Sequence, residues 1–257
     1  MKKKKHFGQH FLCNPGIIEK IVMSLKRLDH EQIKTCLEIG PGDGALTGAL
    51  LKEGFKVSVV EIDDDMVKTL NEKFSSEVSQ GKLEIIPGDF LEINSSQFLH
   101  QKWSFACGNL PYNCGTEIVF KFLEDYPNIQ RFGFMLQREV VEKFISKPED
   151  GKRYGVPSVK FGLSCKEHDH FWIQAGSFNP PPKVESGFFV YSRQDKALAD
   201  PLIRNADYDK VSEWIEKSFQ QRRKKLRNSL GLKSSEWSDK RPEELSPADF
   251  IKLLKGA

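Results

Sequence analysis

Residues 37–48 run Leu-Glu-Ile-Gly-Pro-Gly-Asp-Gly-Ala-Leu-Thr-Gly, and the next apolar run, Val57 to Val60, closes on Glu61. This segment constrains the fold more than any other. Thr35 to Ile39 reads as a short buried strand, the glycines as the turn that ends it, and Leu46, Ala49 and Leu50 as the inner face of the next helix. Gly40 and Gly42 permit a sharp turn and a close approach that any Cβ would block. The helix starting near Gly44 presents unpaired N–H groups. A carboxylate about 20 residues beyond such a turn can accept hydrogen bonds from two ribose hydroxyls, which makes the whole a cradle for a nucleotide cofactor. The spacing also satisfies G-x-G-x-x-A with Ala45 in third place. The turn alone therefore leaves nicotinamide and S-adenosylmethionine chemistry both open.

Further along, strand and helix patterns alternate. Asn14-Pro15 starts a helix as N-cap and N1, with Ile18, Ile21, Val22, Leu25 and Leu28 at helical spacing. Met66, Val67 and Leu70 mark a helix, Leu83 to Ile86 a third strand ending at Pro87-Gly88-Asp89, and Ser104 to Cys107 a fourth leading into Asn109-Leu110-Pro111-Tyr112. A helix around Ile118, Val119 and Leu123 and a strand from Phe132 to Leu136 follow. Such alternation predicts a doubly wound, mainly parallel α/β sheet, whose ligands bind beyond the carboxyl ends of the strands. Gly40, Glu61, Asp89 and Asn109 all fall at those ends. A Pro-rich turn at 178–182 precedes a β-like run from Val184 to Tyr191. Beyond about residue 195 the pattern is helical: Val211, Trp214, Ile215 and Phe219 line a helix that carries a basic block and stops near Gly231, and Ser246-Pro247 opens a last helix. A catalytic domain over 1–194 and a small all-helical domain over 195–257 are expected.

A chain of 257 residues with 39% hydrophobic and 29% charged residues is an ordinary globular protein, and its net charge of +3 says little about partners. Local clustering says more. Lys2 to Lys5 form one basic arm, and Arg222, Arg223, Lys224, Lys225 and Arg227 a second block, which favours phosphate-rich partners such as RNA. No apolar run follows the N-terminal lysines and no segment nears the roughly 20 apolar residues of a membrane span. The five cysteines are odd in number and lack C-x-x-C spacing, which suggests free thiols in a reducing cytoplasm. His6, His10, His168 and His170 show no metal-ligand spacing, so no metal is expected. Nothing suggests a dedicated dimer interface, and a monomer is expected.

Asn109-Leu110-Pro111-Tyr112 carries the chemistry. An exocyclic amine such as adenine N6 is a poor nucleophile because its lone pair is delocalised into the ring. It needs acceptors that hold its two N–H groups, which the Asn109 side-chain oxygen and the Leu110 carbonyl can supply while Pro111 stiffens the turn. Tyr112 offers a stacking face worth roughly 1–3 kcal/mol per base, and attack on a sulfonium methyl then depends on positioning. Asp89 is placed to accept from a cofactor adenine. Phe178, ahead of the prolines, can close the other face of the base or pack in the core.

Through these segments the chain closely resembles the ribosomal RNA adenine dimethyltransferase family, in particular its bacterial small-subunit (16S) branch. The likeness runs through Phe7-Gly8-Gln9-His10-Phe11-Leu12, Glu38 to Thr47, Val60-Glu61-Ile62-Asp63, Gly88-Asp89, Gly108 to Tyr112, Phe134 to Val141, Phe178 to Ser186 and Gln221 to Asn228. The resemblance implies a Rossmann-like methyltransferase sheet with S-adenosyl-L-methionine held by His10, Leu12, Gly40, Gly42, Glu61, Ile62, Asp89 and Asn109. It implies that Tyr112 and Phe178 flank the target adenine. The family often has Asn where this chain has His10. The implied substrate is a pair of adjacent adenosines in a hairpin loop near the 3′ end of small-subunit rRNA, methylated four times in all within an assembling subunit. A large-subunit rRNA methylase and a non-catalytic assembly factor are the competing readings.

Overall fold

The computed structural model describes residues 10–27, 34–93, 102–194, 208–232 and 236–255. Lys2 to Lys5, Phe7-Gly8-Gln9 and Leu28 lie outside them. Asn14 caps helix α1 (Pro15–Lys26) by accepting from the N–H groups of Gly16 and Ile17, satisfying two of the donors that a helix start leaves unpaired. Strands β2 (Thr35–Ile39), β3 (Lys56–Glu61), β4 (Leu83–Pro87), β5 (Phe105–Asn109) and β6 (Arg131–Gln137) alternate with helices α2 (Ala45–Lys52), α3 (Asp64–Lys73), α4 (Ser75–Ser79) and α5 (Gly115–Asp125). The pairs β4–β3, β3–β2, β2–β5 and β5–β6 are parallel. Strands buried on both faces need near-continuous apolar runs, and Val57, Val59, Val60 and Leu37 are buried accordingly. Each such side chain contributes about 1.5–3 kcal/mol through burial.

Two later strands, β7 (Cys165–Ile173) and β9 (Ser186–Arg193), complete a seven-stranded order β4-β3-β2-β5-β6-β9-β7. A separate two-stranded ribbon joins β1 (Phe11–Leu12) to β8 (Phe178–Asn179), with Leu12 opposite Phe178. The ribbon is pinned at one end by Cys13, whose N–H donates to the Ser177 carbonyl at 2.9 Å.

The chain divides into two units, residues 1–138 with 168–191 and residues 139–167 with 192–257. The expected boundary at 194/195 therefore misplaces residues 139–167, which pack with the C-terminal helices. Helix α6 (Arg138–Ile145) leads into them, and helix α7 (Val156–Ser164) supplies Val159 and Leu163 to a core with Val211, Ile215 and Phe250. The buried Tyr154 hydroxyl donates to the Leu245 carbonyl at 2.6 Å, and Lys160 pairs with Glu216 at 2.6 Å. A second correction concerns the basic block. The single helix expected from Val211 to Gly231 breaks after α8 (Tyr208–Gln220) and resumes as α9 (Leu226–Leu230), with Gly231 in left-handed conformation at its end. Past the break Leu226 is fully buried and its N–H donates to the Lys240 carbonyl at 2.8 Å. Helix α10 (Pro247–Lys255) ends the described chain.

Candidate functional site

The expected site elements meet at the carboxyl ends of adjacent parallel strands, all in the first unit. Strand β2 runs into Gly40, Gly42 and Gly44, each with positive φ. Gly44 has a second reason to be glycine: a Cβ there would lie 2.6 Å from the Phe74 ring. The Glu61 carboxylate ties this loop to the end of β3. Oε2 accepts from the Gly42 N–H at 3.0 Å and Oε1 from the Asp63 N–H at 2.9 Å. Burial raises the Glu61 carboxyl above the usual carboxylate range, against the lowering effect of those amides. The Ile62 N–H also bonds to this carboxylate, which offers about four acceptor sites in all, so the residue that holds the loop keeps acceptor capacity for a ribose hydroxyl. Ile62, next in sequence, is 44% exposed, an apolar surface left open beside that carboxylate. Asp89, after β4, accepts the Leu91 N–H on Oδ1 at 2.9 Å, and among the described residues its Oδ2 is unclaimed.

Two residues not foreseen lie beneath the loop. Glu38, on β2, is 1% exposed and receives the Thr47 hydroxyl at 2.6 Å. Burial pushes its carboxyl up to about 7, with Glu61 and Asp43 adding to the rise against the Thr47 hydrogen bond. Lys73 donates to the Asp43 carbonyl at 2.7 Å, clasping the loop from α3. Glu38 stood inside the motif, but nothing in the spacing paired it with Thr47.

The Asn109-Leu110-Pro111-Tyr112 turn leaves β5 beside this loop. Gly108 is required by space: a Cβ on it would lie 2.2 Å from the Ile39 carbonyl oxygen. The Leu110 N–H donates to the Met135 carbonyl at 3.0 Å. Asn109 Nδ2 donates to the His10 carbonyl at 3.0 Å, which fixes the amide so that Oδ1, the acceptor, stays unclaimed among the described residues. His10 donates from Nδ1 to the Pro180 carbonyl at 2.7 Å, and its ring centroid lies 5.6 Å from that of Tyr112. His10, which the resemblance places at the cofactor, uses Nδ1 here to tie the segments flanking the β1–β8 ribbon. The Tyr112 hydroxyl is 2.7 Å from Ser186 Oγ, and burial raises its pKa, so the phenol stays neutral.

Two expected residues are placed differently. Phe178 is 3% exposed and Leu12 5%, and both belong to the same hydrophobic core cluster. Of the two readings of Phe178, this conformation shows the core one, because its partner across the ribbon is buried with it. The basic block, in the second unit, is also split. Arg222 donates to Glu243 at 2.6 Å and to the carbonyls of Lys152 and Gly151 at 2.8 and 2.5 Å. Lys225 and Arg227 both face Asp239, at 2.9 and 3.0 Å. Arg223 and Lys224 are exposed on the turn. Among the described residues no His, Cys, Asp and Glu cluster suits a metal, and no helix is long and apolar enough to cross a membrane.

The chain as a whole is similar to known proteins. The family profile described as ribosomal RNA adenine dimethylase matches residues 1–248. A ribosomal RNA small subunit methyltransferase A from Pseudomonas syringae pv. tomato is 36% identical over 98% of this chain and 93% of its own length. A protein of the same description from Porphyromonas gingivalis is 39% identical over 98% and 96%. Among solved structures, a dimethyladenosine transferase from Plasmodium falciparum superposes with TM-score 0.78 at 24% identity, covering 96% of this chain and 97% of that one. The 23S rRNA methyltransferase ErmE does so with TM-score 0.72 at 22% identity, covering 95% and 98%. At those identities the structures speak for the fold, a Rossmann-like methyltransferase sheet. The sequence matches decide the family: the chain belongs to the ribosomal RNA adenine dimethylases.

Proposed function

We propose that the protein is an S-adenosylmethionine-dependent rRNA adenine N6,N6-dimethyltransferase acting on two adjacent adenosines in a hairpin loop near the 3′ end of small-subunit rRNA. The observation that carries the reading is Asn109, whose amide is turned by its bond to the His10 carbonyl so that Oδ1 is free to accept. The relatives at 36% and 39% identity, both described as small-subunit methyltransferases, support the choice of subunit.

When bound, S-adenosylmethionine supplies a methyl group on a positively charged sulfur. The residues fit such a ligand. Glu61 would accept a hydrogen bond from the ribose, the open Asp89 Oδ2 would accept one from an adenine amino group, and Ile62 would cover the adenine ring. Leu12 and Phe178 would act from within the core, by holding the ribbon that carries His10. The chain itself does no strong acid–base chemistry. Asn109 Oδ1 and the Leu110 carbonyl hold the two N–H groups of the target amine and Tyr112 stacks on the base; in each transfer the new C–N bond would replace the methyl's bond to sulfur, and the nitrogen would release one proton to water. Holding the amine in line is worth more here than a strong base. Looped-out bases suit such a pocket, since a stacked and paired amine could not enter it. The second unit would contact rRNA through Arg223 and Lys224, with the described free thiols in keeping with the cytoplasm.

The test is mass spectrometry of nucleosides after incubation with S-adenosylmethionine and undermethylated small subunits, with large-subunit RNA in parallel. Dimethyladenosine in the small-subunit sample alone is expected. Product from large-subunit RNA alone would move the protein to the other rRNA class, and binding without product would leave an assembly factor. In the same assay Asn109→Ala is expected to lose more than about 100-fold in rate, as for removal of a key transition-state acceptor, while still binding subunits.

A further inference from the structure

Tyr112 is held at both ends. On the backbone side, Leu110 is fixed to β6 through the Met135 carbonyl, and Pro111 restricts the turn. At the far end of the ring the phenol oxygen lies 2.7 Å from Ser186 Oγ. Ser186 is 0% exposed at the start of β9. Among the described residues the Tyr112 hydroxyl is the one hydrogen-bond partner of its side chain. A buried hydroxyl is unfavourable unless it is paired, and alanine would fill nearly the same space. What the serine adds at this position is its bond to Tyr112.

The residue before it is fixed three times over. The Glu185 carbonyl accepts the Arg138 N–H at 2.9 Å, its Oε2 accepts Arg138 Nη1 at 2.6 Å, and its Oε1 accepts Gln174 Nε2 at 2.5 Å. The Arg138 guanidinium also lies over the Trp172 ring, 4.8 Å from its centroid. Glu185 cannot slide along the strand without breaking all three bonds, and Ser186 moves only with it. The Arg138 hydrogen bond, then that of Gln174, keep Glu185 below the usual carboxylate range, so the clamp is ionised at neutral pH.

We propose that Ser186 is a positioning residue for methyl transfer: it sets the plane of the Tyr112 ring on which the target base stacks, and the Glu185–Arg138 clamp holds Ser186 in register. The proposal rests on the reading of the site as an RNA adenine dimethyltransferase. A ring pinned at one end tilts, and the base tilts with it, moving the amine off the Asn109 acceptor. The second transfer depends more on the ring than the first. A monomethylated amine has one N–H left for two acceptors, so stacking carries more of its alignment.

Transfer to undermethylated small subunits would be compared for wild type, Ser186→Ala, Tyr112→Phe and the double variant, with melting temperature and S-adenosylmethionine affinity alongside. Each single change is expected to lower kcat about tenfold, with KM for subunits and cofactor affinity changed by less than about twofold. Both raise the ratio of monomethyl to dimethyl product. The double variant is expected to be no worse than either single one, since both remove the same bond. Additive losses, an unchanged kcat in Ser186→Ala, or an effect confined to melting temperature would overturn the role of Ser186 while leaving the enzyme's function intact. Tyr112→Phe guards against a folding defect at position 186, because it breaks the bond from the partly open side. A wild type that makes no methyladenosine would overturn the functional reading itself.

Discussion

Two turns carry the two functional expectations, and they use their residues in opposite ways. In the glycine turn at 40–44 the backbone does the work. Its left-handed glycines turn the chain and a carboxylate from the next strand holds the Gly42 N–H, so the residue types that matter are those with special conformations. In the basic turn at 221–225 the side chains would do the work, and the fold has already claimed several of them. Arg222 gives all three of its observed bonds to Glu243 and to the backbone of residues 151–152. A glycine pattern announces its purpose because backbone geometry follows from sequence. A run of cations does not, because tertiary structure chooses each partner.

The largest effect should come from the close approach of β5 to β2 just ahead of the first turn. Gly108→Ala drives a Cβ into the Ile39 carbonyl, a backbone atom that cannot rotate away. A loss of about 3 kcal/mol or more is expected, read as a fall in the denaturant midpoint. A near-normal midpoint would mean that β2 and β5 can part at the site, and the cradle would then be less rigid than the comparison requires.

Beneath the same loop, Glu38 makes stability fall with pH. Its folded value of about 7 stands 2.5 above the ordinary 4.5, equivalent to about 3 kcal/mol. The folded chain keeps a proton that the unfolded chain releases. This residue's contribution is therefore fully present below about pH 4.5 and is lost as pH rises through about 7. The raised Glu61 acts with the same sign. Glu38→Gln keeps an acceptor for Thr47 and removes the ionisation. The wild-type melting temperature should decline between pH 5 and 7.5, and the variant's should be flatter. Equal slopes would place the titration elsewhere.

In the second turn, Arg222→Ala should cost about 2 kcal/mol, since bonds to charged groups contribute about 1.5–3 kcal/mol each and part is recovered from water. Loss of rRNA binding with unchanged stability would reverse the assignment and make Arg222 a phosphate contact.

What was legible in the chain follows the same division. The parallel strands from β2 to β6 and their carboxyl-end residues were readable, because buried parallel strands are continuous apolar runs and the turns between them need glycine or proline. β7 was not. Lys166 to His170 are five consecutive exposed polar residues, which suits a strand at the end of a sheet and gives no alternation to detect. Asn109 was legible as a candidate because an amide at a strand end is the acceptor that the proposed chemistry needs. Ser186 and the Arg138–Glu185 pair were not, although both lay inside recognised segments: 47 residues separate the pair, and only the sheet order brings β9 beside β6. Phe178 shows the limit most plainly. An aromatic before prolines suits a binding wall and a core equally, and only its pairing with Leu12 decides how it is placed.

The smallest expected effect separates the exposed cations with no ion-pair partner among the described residues from those already paired. Replacing Arg223 and Lys224 by Gln should weaken rRNA binding and lower the slope of log affinity against log salt by roughly 2, about one per lost phosphate contact. Lys225 and Arg227 share Asp239 through exposed pairs, which are worth little each and can exchange for a phosphate at small cost. Replacing those two by Gln should lower the slope by less, because Asp239 already offsets part of their charge. Slopes that fall equally would show that both pairs open on the RNA and that the block binds as a whole. No change in either would make the turn a solvated surface, and the contrast between a backbone site and a side-chain site would then hold without any RNA contact at this turn.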